Sequence, residues 1–373
     1  MNRAVLALQF KNMKKKHFML LYLTASLLLL FLLAGCGNAA NEPPASETPL
    51  GEVASGKDSR PTESPEPAET PEPTEEVGTE EKFEPLPPGQ KYGKIRVSKD
   101  KKTIYVHGWV DPYELSDRRT KRAEKIVFCR DAGILTEESD VDSSFDPTYS
   151  PHLYDAPLVK EVVVEKGNPF LYAINGMLIK RKGADRYTYG DLLVFCVPRK
   201  KGAIQVPEGV EYIGSCAFWG CSDITSVRLP GSLLGIGGAS FADMDSCTNI
   251  QADKTSNIFY TKDGVLYSCD FLEYTSVLAY PAGKTEQIYK APKNTWIIYV
   301  GAFLGADHLR EVRLPSGQQR IYDYAFRDCI NLRKVNVKNK KKISLVEKNA
   351  FNGCPRLKEH VKDKNWLPID DKK

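Results

Sequence analysis

Five phenylalanines in the second half of this chain, Phe218, Phe241, Phe303, Phe326 and Phe351, each follow an aliphatic residue five positions back: Ile213, Ile236, Ile298, Ile321 and Val346. Three sit in a recurring phrase, Ala217-Phe218-Trp219-Gly220-Cys221, Ala325-Phe326-Arg327-Asp328-Cys329 and Ala350-Phe351-Asn352-Gly353-Cys354, with Ile224, Leu332 and Leu357 three residues further on. The intervals Phe218 to Phe241, Phe303 to Phe326, Pro207 to Pro230 and Pro292 to Pro315 are each about 23 residues, a period that marks a stacked-repeat solenoid. Each coil then returns the same side chains to the same rows.

Apolar residues about three apart turn the chain by one side of a coil, and a Val-x-Leu alternation makes one short strand per coil. Val227-Arg228-Leu229, Val312-Arg313-Leu314 and Val335-Asn336-Val337 are read as those strands, stacked in one parallel sheet with Arg228, Arg313 and Asn336 outward. The five phenylalanines are expected to form a buried ladder. Ala156, Val159, Val162 and Val164 fit the same frame, so the array starts before residue 160. A longer period, roughly 85 to 89 residues, relates Asn168-Pro169-Phe170, Asn175-Gly176-Met177-Leu178 and Val197-Pro198 to Asn257-Ile258-Phe259, Asp263-Gly264-Val265-Leu266 and Tyr280-Pro281. Asn-Gly and Asp-Gly between apolar pairs are two-residue hairpin turns, because both central positions need positive φ. The fold class expected is a β-rich solenoid with short parallel strands, inserted β-hairpins and few helices.

These phrases carry a resemblance. From about Ala156 to Leu357 the chain resembles the BspA-like class of bacterial leucine-rich repeats in its Pro-x-x-Val-x-x-Ile-x-x-x-Ala-Phe-x-x-Cys-x-x-Leu-x-x-Val pattern, and in Asp263 to Tyr267 and Tyr280 to Lys284. It departs at Ala306, which replaces Cys, at Trp296 beside the Val position, and in three extra residues between Phe241 and Cys247. The resemblance implies a leucine-rich-repeat solenoid on a surface protein concerned with adhesion and protein binding.

Lys11, Lys14, Lys15 and Lys16 precede an apolar run from Phe18 to Leu33, built as a secretory signal and short for a membrane span. Met13 serves as a start as well as Met1. The run ends in Leu33-Ala34-Gly35-Cys36, which resembles a bacterial lipobox and implies a lipid on Cys36; the competing reading is an uncleaved anchor. The expected location is the extracytoplasmic face of the cell membrane. The expected division is residues 1–35 signal, 36–89 tether, 90–155 N-terminal cap or degenerate repeats, 156–358 repeats and 359–373 C-terminal cap. The tether is rich in Pro, Glu, Thr and Ser, with Glu63, Glu66, Glu69, Glu72, Glu75 and Glu76 almost evenly spaced, and buries no core. At about 3.1 Å per residue it reaches on the order of 150 Å. In the cap, Ile95 to Val97 and Thr103 to Val106 alternate as a hairpin around Lys99-Asp100-Lys101. Ala123, Ile126 and Phe128 fit a degenerate repeat strand, against a competing helix from Asp117 to Ala132.

The net charge of +4 over 373 residues hides an acidic tether and a basic C-terminal end. Lys338, Lys340, Lys341 and Lys342 form a candidate anion-binding loop, although most charge runs are simply solvated. The candidate binding surface is the outward strand face: Arg228, Arg313, Glu311, Lys334 and Asn336. Expected partners are the membrane, through Cys36, and an extracellular protein or glycan; no nucleic-acid motif is present. Of nine cysteines, Cys221, Cys247, Cys329 and Cys354 fall in the inward row and read as buried thiols, whereas a bridge among Cys129, Cys196, Cys216 and Cys269 stays open. Scattered histidines, no His-x-x-x-His and no Gly-x-Ser-x-Gly give no catalytic, metal or cofactor site. Gly235, Gly237 and Gly238 imitate a phosphate loop without the strand-to-helix setting it requires. An adhesin-like binding protein is the first reading, an envelope protein holding anionic polymer the second, and an enzyme with an unrecognised site, using Cys129 or Cys196, a remote third.

Overall fold

The computed structural model describes residues 75–77 and 91–357, apart from 112–113, 116–119, 136–152, 154–155, 186–187, 270–273, 317–318 and 338–342. Signal, Cys36, most of the tether, the lysine loop and the segment 359–373 therefore lie outside the described residues. Every named element among the described residues is a β-strand. They wind into a β-solenoid of about nine turns, a leucine-rich-repeat architecture.

The N-terminal coils comprise β1 (Glu75–Val77), β2 (Lys94–Val97), β3 (Thr103–His107), β4 (Trp109–Val110), β5 (Lys125–Phe128), β6 (Gly133–Ile134) and β7 (Glu161–Val164). Lys101, with φ of 61°, turns the β2–β3 hairpin, and β3, β5 and β7 then stack in parallel. Ile104, Ile126 and Phe128 face inward with no exposure. The helical pattern around Ala123 loses to this register, because as a strand the segment hydrogen-bonds on both edges and buries Ile126 and Phe128 together. The strand β1 pairs antiparallel with β2 and falls within the stretch read as tether.

The first repeat block runs through β8 (Leu171–Ile174), β9 (Met177–Lys180), β10 (Asp191–Cys196), β11 (Gly202–Gln205), β12 (Val210–Ile213), β13 (Ile224–Arg228), β14 (Gly235–Ile236) and β15 (Asn249–Gln251). The second runs through β16 (Phe259–Lys262), β17 (Val265–Cys269), β18 (Thr275–Ala279), β19 (Ile288–Lys290), β20 (Thr295–Ile298), β21 (Glu311–Leu314), β22 (Gln319–Ile321), β23 (Lys334–Val337) and β24 (Ile343–Val346). Each block opens with an antiparallel hairpin, β8–β9 or β16–β17. The turn residues Asn175 and Gly176, and Asp263 and Gly264, all have φ between 52° and 79°, the geometry expected of Asn-Gly and Asp-Gly. After the hairpin the coils stack in parallel on two walls: a longer-strand wall that continues each hairpin into a sheet of five or six strands (β10, β12, β14; then β18, β20, β22, β24), and a short-strand wall of three strands in each block (β11, β13, β15; then β19, β21, β23).

The short-strand wall is therefore two three-stranded sheets rather than the single sheet expected from sequence. The second hairpin takes the free edge of β15: Ile250 N–H donates to the carbonyl of Gly264, and Gly283 N–H to that of Cys247. Arg228 lies in the first sheet, Arg313 and Asn336 in the second.

All five phenylalanines are buried, with exposures of 0 to 7%. They stack in two runs: Phe218 on Phe241 at 5.3 Å between ring centroids, and Phe303 on Phe326 on Phe351 at 4.7 and 5.1 Å. Tyr280 extends the second run, 5.0 Å from Phe303. Offset-stacked rings contribute about 0.5–1.5 kcal/mol per pair beyond the area they bury.

The turn around each Phe has a fixed shape. The residue two before it takes positive φ at Cys216, Ala239, Gly301 and Tyr324, and the residue two after it at Gly220, Asp243, Gly305, Asp328 and Gly353. Left-handed backbone at a non-glycine residue costs on the order of 1 kcal/mol or more. Rungs between coils offset it, with Phe218 N–H donating to Ser240 O, Phe303 to Ala325 and Phe326 to Ala350 at 2.7 to 2.8 Å. In the second row Asp lies under Gly. A Cβ on Gly305 would meet Oδ1 of Asp243 at 2.5 Å, and one on Gly353 would meet Oδ1 of Asp328 at 1.9 Å. Gly is needed on these rungs both for its φ and for the carboxyl beneath it.

Candidate binding surface

Alternation along a strand sends every second side chain outward. On the first short-strand sheet the pairing aligns Gln205, Arg228 and Gln251 in one outward row, with Arg228 exposed. On the second it aligns Lys290, Arg313 and Asn336, and beside them Ile288, Glu311 and Lys334. Glu311, Arg313, Lys334 and Asn336 thus come together as a cluster, and Arg228 stands apart from it. Glu311 organises the cluster, accepting from Arg313 Nε at 2.8 Å and from Asn336 Nδ2. The Arg313 hydrogen bond holds its carboxyl below the usual range. Three further exposed cations, Lys290, Arg310 and Arg333, join this surface. Arg310 and Arg333 sit at the corners before their strands, and their signal in the sequence was the Arg-Glu-Val-Arg and Arg-Lys-Val-Asn order.

On the longer-strand wall of the second block, the half-buried aromatic Trp296 lies 4.8 Å from the exposed Tyr274, and Tyr299 lies 6.4 Å from Tyr322. Arg320 stacks over Tyr322, and Arg327 over Tyr324. Trp296 is the extra residue of a bulge between Thr275–Thr295 and Ser276–Ile297, a place that Glu211 and Ser344 take in the same bulge of other coils, so the repeat accommodates it.

Groups with catalytic potential gather in the N-terminal coils. Cys129 Sγ lies 3.5 Å from His107 Nε2, and His107 Nδ1 lies 3.6 Å from an Asp131 carboxylate oxygen. The order is that of a thiol, base and orienting acid. The electrostatics oppose it: burial, then the Glu165 and Asp131 carboxylates, push the Cys129 thiol up to about 12. A nucleophilic cysteine needs the reverse, an electropositive and partly open setting. Gly235 and Gly237 lie on coil backbone, their missing Cβ positions filled by the Tyr212 ring and by Ser215, so they form no phosphate cradle. No disulfide joins any of the eight described cysteines, Cys129, Cys196, Cys216 and Cys269 included. Those of the inward row point at backbone: Cys329 Sγ donates to Phe303 O at 3.0 Å, and Cys354 Sγ to Phe326 O at 2.9 Å. Among the described residues no group of acids, histidines and cysteines is placed to hold a metal. His308 is exposed at a corner.

At the seam between the blocks, Ala239 N–H donates to Val300 O at 3.0 Å, so the last coil of the first block stacks directly on the second. Asp243 sits there. Burial, with Asp245 and Asp328 nearby, pushes its carboxyl up to about 6, against the opposing influence of the Trp219 indole and the charge of Arg327. Asp307, beside Asp245, His308 and Asp328, is also raised, chiefly by burial.

Residues 195–281 and 282–371 match the sequence profile of the BspA type leucine rich repeat region, in six copies. Together the two stretches run from the end of β10 past β24, and the first hairpin, β8–β9, lies outside them. Among solved structures, a leucine-rich cell surface protein from Faecalibacterium prausnitzii is 14% identical, over 75% of this chain and 88% of its own, with a TM-score of 0.36. The pneumococcal vaccine antigen PcpA is 17% identical over 67% of this chain and 60% of its own, TM-score 0.36. A leucine-rich repeat protein from Eubacterium ventriosum is 13% identical over 74% and 90%, TM-score 0.33. No functionally curated protein matches the chain.

Proposed function

We propose that this chain is an exported, lipid-anchored binding protein that presents its leucine-rich-repeat solenoid outside the cell membrane for recognition of a protein or glycan. The observation that carries the reading is the split between the two sides of each coil. Inward rows repeat the same residue types from rung to rung, whereas the outward row on the short strands changes from Gln205, Arg228 and Gln251 to Lys290, Arg313 and Asn336. Packing alone asks for the first kind of row; the second is free to be shaped by a ligand. The signal-like Phe18–Leu33 run and Leu33-Ala34-Gly35-Cys36 support export and lipidation. The raised thiol at Cys129 weighs against a hydrolase there.

Two measurements test it. Detergent phase partition should place the protein made in its host in the detergent phase, and Cys36→Ser should move it to the aqueous phase. The purified full chain should retain an extracellular protein or envelope polymer at about 0.15 M salt, where charges are screened beyond about 8 Å. Aqueous partition of the wild type removes the anchor; capture of nothing removes the binding function. The second reading, an envelope protein holding anionic polymer through Lys338, Lys340, Lys341 and Lys342, is favoured by the position of that loop directly after β23.

A further inference from the structure

Charge on the short-strand wall changes along the solenoid. In the N-terminal coils the cations are matched: Lys125 with Glu161 at 3.1 Å, and Lys102 and Lys160 with Glu124 at 3.3 and 2.5 Å. In the first block, Arg228 lies between the neutral Gln205 and Gln251, and Lys201 pairs with Asp223 at 3.4 Å. In the second block matching lapses. Lys290 is registered beside Arg313, and Arg333 N–H donates to Arg310 O at 2.9 Å, so the cations occupy adjoining rungs about 4.8 Å apart. Lys290, Arg310, Arg313, Arg333 and Lys334 are all exposed. Arg313 pairs with Glu311, the single acidic side chain on β19, β21 and β23, and the other four have no ion-pair partner among the described residues.

Like charges this close repel, modestly in water, and nothing in the coil's packing requires them. Their chemistry suits a ligand with several oxyanions: the Arg310 and Arg333 guanidinium groups offer planar, two-pronged donors to sulfate, phosphate or carboxylate, and Arg313, whose Nε and Nη2 face Glu311, adds its remaining edge. The face also lacks what a folded protein partner needs. Among the described residues it carries no exposed aromatic side chain and one exposed large aliphatic, Ile288, whereas protein interfaces are anchored by buried aromatics in pockets. A flexible acidic polymer needs no such anchor. Repetition of cations on successive rungs matches repetition of anionic groups along a chain.

We propose that the outer face of β19, β21 and β23 binds an acidic polysaccharide through Lys290, Arg310, Arg313, Arg333 and Lys334. The inference rests on the binding function proposed above and names its ligand class.

The test uses the purified full chain and heparin as a model acidic polysaccharide, with dextran and polyglutamate as controls. Heparin should bind at about 0.15 M salt and weaken steeply as salt rises; dextran should not bind, and polyglutamate should bind at least tenfold more weakly. The combined variant Arg310→Gln, Arg313→Gln, Arg333→Gln should lose tenfold or more in heparin affinity and show a shallower salt dependence, with an unchanged melting temperature. Arg228→Gln, and Lys340→Gln with Lys341→Gln and Lys342→Gln, should each bind heparin within about twofold of wild type. Full heparin binding by the arginine variant, loss of binding in the lysine-loop variant, polyglutamate bound as tightly as heparin, or no heparin binding by wild type would each overturn the assignment. A protein partner captured equally by wild type and the arginine variant would overturn this inference and leave the wider binding function standing.

Discussion

After each inward isoleucine of the longer strands, the first block places glycine, Gly214 after Ile213 and Gly237 after Ile236, where the second places tyrosine, Tyr299 after Ile298 and Tyr322 after Ile321. The isoleucines are buried alike, with exposures of 0 to 8%. In the first block the preceding coil's backbone fills the corner: a Cβ on Gly237 would lie 2.4 Å from Ser215 N, and one on Gly214 would lie 3.2 Å from Leu193 O. In the second the corner opens, and half-buried tyrosines line it. The same contrast holds on the short-strand wall, whose outward row carries one cation, Arg228, in the first block and adjoining cations in the second. The blocks hold a common interior to different tolerances outside, and the second has side chains to spare for contact.

The largest test of that comparison lies in the interior. Phe326→Ala, in the longer ring stack, and Phe218→Ala, in the shorter, should each cost about 3–5 kcal/mol. Because Ala239 and Val300 join the blocks backbone to backbone, both should lower one shared calorimetric transition. Two transitions, with only the mutated block's moving, would break the picture of a continuous stack. The seam supplies the next effect. The carboxyl of Asp243 is raised to about 6 against an ordinary 3.8, so the charged form is disfavoured in the folded state. Its contribution is fully present below the unfolded value and is lost as pH rises through about 6, some 2–3 kcal/mol in all. Asp243→Asn, which keeps a residue tolerant of positive φ, should therefore raise the melting temperature at pH 7.5 and leave it unchanged at pH 3.5. An equal shift at both pH values would exclude ionisation as the cause.

The corners come third. Gly237→Ala should destabilise by about 1–3 kcal/mol through overpacking, whereas Tyr322→Ala at the matching position in the second block should cost about 1 kcal/mol or less. Reversed magnitudes in denaturant titrations would contradict the tight and open corners. The smallest change is expected at Arg313→Gln, within about 0.5 kcal/mol, because an exposed pair contributes little to folding. A larger loss would make the Glu311 cluster structural.

Much of this fold was legible because its signals are local and repeated. The aliphatic-to-Phe spacing located all five phenylalanines of the ladder, and Asn175-Gly176 and Asp263-Gly264 located both hairpins. Tyr280 escaped notice as a rung because it lacks the Ala-Phe-x-x-Cys surroundings, and its place on Phe303 depends on the hairpin that precedes it. The break in the short-strand wall was hidden for the same reason: spacing shows that residues are inserted, and only the edge of β15 shows what they cover. At the candidate surface, strand alternation led to Arg313, Lys334 and Asn336, but Arg310 and Arg333 belong to corners, where no period dictates direction. Arg228 was grouped with them by phase, and the intervening hairpin sets it apart. Cys36 and the lysine loop are legible only as chemistry in the sequence and lie outside the described residues.

The thiols of the inward row have a further implication. Cys221, Cys247, Cys329 and Cys354 have exposures of 5% or less, are pointed at main-chain carbonyls, and in Cys329 burial drives the thiol well above its ordinary range. None closes a covalent loop, so the described coils are held together by packing, hydrogen bonds and a few ion pairs, without a cross-link. Stacking of the described coils therefore requires no thiol oxidation, and a reductant finds no disulfide among them to cut.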